Sequence, residues 1–238
     1  MAKQCFLFRT HNIESYERYQ KIKSCNYPNM DFFYIIDTSV YSGELPDGDD
    51  VIGINGDEIW DMWNGLIWNK KYQSNTQFYI LNFFKEHPGY DYYWLCEDDI
   101  YMPNGDYYLF FKESEKIDCD FLHTSKISNQ QMIDYKSFLF KLIGNESLFD
   151  KYKFCTWVQF FRLSPNACEV LIKEFVKEHR VHAELYFPSI ISNNELSTHC
   201  MNESDDIRYR FIIHSTKLHP NILNGEMRNV FYHPMKVK

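Results

Sequence analysis

The sequence predicts an α/β domain built on one mostly parallel central sheet with helices on both faces. Three observations predict it. Short apolar runs of strand length recur at residues 4–8, 31–36, 51–54, 92–96 and 121–123. Helix-compatible segments separate most of them, which is the βαβαβ pattern of a parallel sheet. No linker, repeat or low-complexity tract divides the 238 residues, a length that suits one large domain spanning 1–238.

The runs at 4–8 and 31–36 are β-branched or aromatic and bounded by polar residues, as buried strands are. Residues 13–23 between them have helical composition. The run at 51–54 opens into Asn55-Gly56-Asp57. Residues 60–85 are long, apolar and free of proline, which predicts one helix or two with a break near Gly65, and His87-Pro88-Gly89 stops it. The strand at 92–96 runs directly into Glu97-Asp98-Asp99, and after Pro103-Asn104 a helix is expected through about Glu115, before the strand at 121–123. Residues 125–154 are polar and weakly periodic and read as a mobile excursion with one helix near 138–143. A strand is expected at 156–161. Ser164-Pro165 then supplies a cap with proline at the first helical position. Pro188 is expected to begin or bend a further short helix, and 208–213 to form a late strand.

Composition excludes several functions. With 33 acidic against 25 basic residues the chain carries net charge −8 and shows no basic run, so binding driven by phosphate neutralisation of a nucleic acid is not expected. Only nine glycines occur, and no GxGxxG or GxxxxGK[ST] string is present. No apolar stretch reaches the ~18 residues of a membrane helix, and the first residues do not read as a secretory leader. Seven cysteines (5, 25, 96, 119, 155, 168 and 200) are irregularly spaced without a CxxC, which predicts reduced, mostly buried thiols. The expected location is cytoplasmic.

Glu97-Asp98-Asp99 carries the chemistry. In open α/β sheets ligands sit outside the carboxyl ends of the strands, and three crowded like charges ask for a cation or a donor-rich ligand. Mg²⁺ or Mn²⁺ fits, because such ions take one or two carboxylates together with substrate phosphates. The other reading of the triplet is a solvated acidic turn.

Four segments in this order resemble GT-A glycosyltransferases that use nucleotide-sugar donors. Tyr90-Asp91-Tyr92-Tyr93-Trp94-Leu95-Cys96-Glu97-Asp98-Asp99-Ile100 is similar to the segment bearing their DxD-type motif, with Glu in place of its first Asp. Asp31-Phe32-Phe33-Tyr34-Ile35-Ile36-Asp37 resembles the second strand, whose terminal acid lies near the nucleoside. Val181-His182-Ala183-Glu184-Leu185-Tyr186-Phe187-Pro188-Ser189 resembles the acid-then-helix stretch near the acceptor, and Tyr232-His233-Pro234-Met235-Lys236 the closing segment of some members. The resemblance implies a nucleotide-sugar-binding half at 1–124 and an acceptor-binding half at 125–238. It further implies that Glu97 or Asp98 contacts ribose or metal and that Asp99 is the firmest metal ligand. The absence of a leader makes the chain look more like a bacterial or viral enzyme of a cytosol.

Transfer of a glycosyl group needs a stabilised leaving diphosphate and, for inversion, a base for the acceptor hydroxyl. Glu184, before a helix beginning near Pro188, is the first choice of base, with Asp205 and Asp206 in reserve. His214 and His233 are candidate imidazole ligands for the metal. Lys236 can meet the diphosphate as a point charge, and Arg9, Thr10 and His11 leave the first strand where a nucleotide would lie. Trp60, Trp63, Trp68 and Tyr72 could floor an acceptor-sugar site, or be core. Trp157 and Gln159 could touch either sugar. The function expected is metal-dependent glycosyl transfer from a nucleotide-diphosphate sugar, UDP-sugar before GDP-sugar, to a carbohydrate acceptor. The alternatives are a nucleotidyltransferase or phosphohydrolase on the same acidic site, and a non-catalytic carbohydrate- or nucleotide-binding domain.

Overall fold

Residues 4–10 read QCFLFRT, and all seven are buried. A strand covered on both faces belongs at the middle of a sheet, and the computed structural model places this one, β1 (Gln4–Thr10), there. It describes residues 2–63, 78–102, 105–125, 127, 151–176, 181–203, 210–213 and 230–233, with the main chain alone for 60, 210–213, 232 and 233.

Parallel neighbours flank β1: β2 (Met30–Asp37) on one side and β4 (Tyr92–Glu97) on the other. β3 (Val51–Ile54) adds a parallel edge to β2. Beyond β4 one strand runs the other way. β6 (Phe160–Leu163) lies antiparallel between β4 and β5 (Phe121–His123), and β7 (Thr198–Cys200) closes the far edge parallel to β5. The sheet order is β3-β2-β1-β4-β6-β5-β7. The mostly parallel α/β class predicted from the sequence is therefore the class observed, in one seven-stranded mixed sheet. Because β6 sits between β4 and β5, residues on either side of position 125 share this sheet.

Helices cover both faces. α2 (Gly56–Trp63), α3 (Tyr79–Glu86), α5 (Pro165–Lys173) and α6 (Ala183–Asn193) pack with Cys5, Leu7, Ile35, Tyr93 and Leu95 on one face. α1 (Tyr16–Lys23) and α4 (Tyr107–Ser114) pack with Phe6, Phe8, Tyr34, Trp94 and Cys96 on the other. The alternation of side chains along each strand makes this division. A 3-10 turn, Ile13–Ser15, leads into α1, and its Asn12 cap accepts the Glu14 N–H. Asp106 caps α4 through the Leu109 N–H, and Ser164 caps α5 with Pro165 at its start, as the sequence predicts. Gly89, at φ 106, makes the turn after α3 that a side chain would strain. A small parallel pair, β8 (Arg210–Ile213) and β9 (Val230–His233), brings Phe231 against Tyr107, Phe110 and Phe160. All seven cysteines are free thiols, five of them buried. No described helix is long and apolar enough to cross a membrane.

Two boundaries differ from the sequence reading. The strand expected at 156–161 begins only at Phe160. Thr156 and Trp157 give their main-chain N–H groups to the Glu184 carbonyl and to Ser125 Oγ, so this apolar stretch binds a helix end and a loop before it reaches a neighbouring strand. The helix expected to begin or bend at Pro188, α6, starts at Ala183, so Pro188 lies inside it and Glu184 in its first turn. The break expected near Gly65 and the helix expected at 138–143 lie outside the described residues.

Candidate functional site

The parallel strands at the centre run slightly past their apolar runs. β1 extends through Arg9 and Thr10, β2 through Asp37 and β4 through Glu97, so polar side chains gather at one end of the sheet. Registry aligns them, with Arg9 opposite Ile35 and Glu97, and Thr10 opposite Ile36.

On the α3 face, Arg9 Nη1 lies 4.0 Å from Glu97 Oε1, and its guanidinium sits 5.9 Å from the centre of the Tyr79 ring. Asp37 Oδ1 accepts the Ser39 N–H at 2.9 Å, the Ser39 hydroxyl at 2.7 Å and the Gly56 N–H at 3.1 Å. Asp37 Oδ2, Arg9 Nε and the Tyr79 hydroxyl are buried and make no hydrogen bond of good geometry with a described residue, the Tyr79 hydroxyl standing near Asp37. Burial, and after it the nearby charge of Asp37, pushes the Tyr79 phenol well above its ordinary pKa. Polar atoms left unmet in a protein interior cost about 1–3 kcal/mol each. Three in one place therefore ask for a ligand that meets them.

The α1 face of the same strand ends is closed. Thr10 Oγ1 stands 2.6 Å from Asp98 Oδ2 and 2.8 Å from the Asn12 carbonyl. With one proton to give, the hydroxyl donates to the carboxylate at the shorter distance. It accepts from the Asn12 N–H and the Ser15 hydroxyl, and the Tyr34 hydroxyl donates to the Asn12 carbonyl. Burial raises the Tyr34 phenol to about 12. Arg18 Nη1 holds the Asp98 carbonyl at 3.0 Å, tying α1 to the acidic turn.

Glu184 reaches the same end of the sheet from α6. It is 1 % exposed, and its Oε1 accepts from Gln159 Nε2 at 2.5 Å. Gln159 in turn accepts the Glu97 N–H on its carbonyl at 3.0 Å. His182 caps α6 by accepting the Glu184 N–H on Nδ1, which stands 3.7 Å from Glu184 Oε2. Burial lowers the His182 pKa against the pull of Glu184. An accepting Nδ1 carries no proton, so the ring is neutral and its contact with Glu184 is not an ion pair.

The expected residues divide accordingly. Arg9, Asp37 and Glu97 meet on one face; Thr10 and Asp98 meet on the other; His11 is exposed. Asp99, partly buried, follows on the same turn. Asp205, Asp206, His214 and Lys236 lie outside the described residues, as do Trp68 and Tyr72. His233 is described by its main chain, which ends β9 in register with Ile213. Trp63 belongs to the core, stacked on Phe78 and edge-on to Phe175, so it floors no sugar site. Tyr79 and His182 were not among the expected site residues. Tyr79 is hidden in an apolar helix, and His182 precedes a helix start that the sequence placed near Pro188. Among the described residues no group of three or more His, Cys, Asp or Glu side chains is placed to hold a metal ion. Their donor set suits an ion that takes one or two carboxylates and completes its shell with phosphate and water.

No protein-family model matches the sequence, and no curated protein does. Solved structures are similar along nearly the whole chain. A glycosyltransferase involved in the glycosylation of the major capsid of PBCV-1 is 11% identical, with 99% of this chain and 94% of that one covered, at TM-score 0.45. Mouse xyloside xylosyltransferase 1, in its apo form, is 10% identical over 98% and 97%, at 0.49. An active-site mutant of LgtC is 10% identical over 96% and 86%, at 0.48.

Proposed function

We propose that the chain is a glycosyltransferase that moves a sugar from a nucleotide-diphosphate donor, UDP-sugar by preference, to a carbohydrate acceptor with inversion. One observation carries the reading: a buried arginine, two carboxylates and three unmet polar atoms share one face at the carboxyl ends of parallel strands, with Glu184 tied to them through Gln159. Asp37 Oδ2 suits a donor N–H or hydroxyl of the nucleoside, and Arg9 suits the charge of the diphosphate. Asp99 and Glu97 would hold Mn²⁺ or Mg²⁺, with His233 or His214 as imidazole ligand and Lys236 as a further cation. A bound ion of this kind supplies positive charge to the departing diphosphate. Glu184 takes the acceptor hydroxyl proton as that oxygen bonds the anomeric carbon, and the diphosphate leaves with the electron pair of the broken bond. Asp205 and Asp206 are the reserve bases. In this reading residues 1–124 form the nucleotide-sugar-binding half and 125–238 the acceptor-binding half.

Thermal stability measured with UDP, GDP and nucleoside triphosphates, with and without Mn²⁺, tests this, because a ligand of the native state raises its stability. The reading expects stabilisation by UDP with Mn²⁺ and transfer to an added sugar acceptor. Release of pyrophosphate from a triphosphate would move the chain to the nucleotidyltransferases. Binding without transfer from any donor would make it a binding module, and indifference to every nucleotide would overturn the proposal.

A further inference from the structure

Pro188 has no N–H, so the carbonyl four residues before it in α6, that of Glu184, has no helical donor. The Thr156 N–H fills the vacancy at 3.1 Å. Three residues on, Gln159 Nε2 meets the carboxylate of the same Glu184 at 2.5 Å, and the Gln159 carbonyl accepts the Glu97 N–H at 3.0 Å. The segment between these clasps is pinned as well. Thr156 Oγ1 donates to the Ser125 carbonyl at 2.5 Å, and the Trp157 N–H to Ser125 Oγ at 3.1 Å. Main chain and side chain of Glu184 are thus both fastened to one short stretch, whose last residue also fastens the first acid of the triplet. An amide NH₂ donates only and a carboxylate accepts only, so the contact also fixes how the Gln159 amide is turned.

We infer that Gln159 is a positioning residue, which sets the carboxylate of Glu184 at a fixed place relative to Glu97. The inference rests on Glu184 as the base of the proposed transfer. Misplacing a reacting group by about 1 Å costs on the order of 10²-fold in rate. Gln159→Met keeps the length and the main-chain contact with Glu97 and removes the donor. It is expected to lower kcat by about 10²-fold while KM for the donor sugar and Kd for UDP stay within about twofold. Glu184→Gln combined with Gln159→Met should be no slower than Glu184→Gln alone, since a positioning residue has nothing left to position. Gln159→Asn, whose amide is one methylene short, is expected to fall between wild type and Gln159→Met, and it carries the test if Gln159→Met does not fold. A crystal structure of the variant reads the same point without any activity: the Glu184 carboxylate should move while the Thr156–Glu184 main-chain bond stays. A moved carboxylate in a protein that transfers no sugar would uphold the positioning and remove the proposed function. An unmoved carboxylate with unchanged kcat would overturn the inference, as would equal losses in kcat and UDP affinity with a lowered Tm.

Discussion

At the carboxyl end of the sheet the same strands present two faces in opposite conditions. On the α1 side, Thr10, Asp98, Asn12, Ser15 and Tyr34 form a hydrogen-bonded network in which the threonine hydroxyl both donates and accepts. On the α3 side, Arg9, Asp37 and Tyr79 keep buried polar atoms that make no hydrogen bond of good geometry with a described residue. Strand alternation puts Arg9 and Thr10, adjacent in sequence, on these two faces. The difference teaches that neighbouring residues of one strand can end in a satisfied network on one face and, on the other, in a cluster of polar groups that a ligand could meet.

Substitutions can break that contrast, beginning with the largest expected effect. Glu184→Gln should reduce transfer by about 10² to 10⁴-fold and leave UDP affinity intact, as separate titration and turnover measurements would reveal. Full turnover in this variant would remove Glu184 as base. Asp37→Asn keeps the oxygen that meets Ser39 and Gly56 but turns the other carboxylate oxygen into a donor. Calorimetry should show UDP affinity down about tenfold, roughly 1.4 kcal/mol, with the denaturation midpoint unchanged. Thr10→Val on the closed face should do the reverse. Asp98 loses its buried donor, stability falls by about 2 kcal/mol in chemical denaturation, and UDP affinity holds. Tyr79→Phe should have the smallest effect, a stability raised by about 1 kcal/mol in chemical denaturation, because it removes a buried hydroxyl that makes no good hydrogen bond. Lost stability in Asp37→Asn with lost affinity in Thr10→Val would exchange the roles assigned to the two faces.

How much of this was legible in the sequence follows from the range of the forces involved. Continuous apolar runs mark buried strands, so β1 to β5 were placed within two residues of their ends. Of the residues beyond those ends, Arg9 and Glu97 were legible as candidates because polar groups after an apolar strand face the usual ligand edge, and Asp37 through the resemblance of its strand to the second strand of the GT-A family. Their partners were not legible. Thr10 finds Asp98 across 88 positions, and Gln159 finds Glu184 across 25, through sheet register and helix packing that no local pattern encodes. The strand expected at 156–161 went astray for the same reason. Thr156, Trp157 and Val158 have strand-like side chains, but Pro188 leaves the Glu184 carbonyl open and the Thr156 N–H goes there. Of the two expectations for Pro188, to begin a helix or to bend one, the structure has it within α6, and the start near Pro188 expected after Glu184 falls at Ala183 instead. A proline within α6 is tolerated because that carbonyl has a donor from outside the helix.

A crystal structure with UDP and Mn²⁺ tests the central claim most directly, with the anomalous signal of manganese marking the metal. The account predicts the nucleotide on the Arg9 side of the strand ends, with Asp37 Oδ2 and Arg9 Nε meeting it and manganese beside Asp99. A nucleotide bound on the Thr10 side, or away from the strand ends altogether, would contradict it.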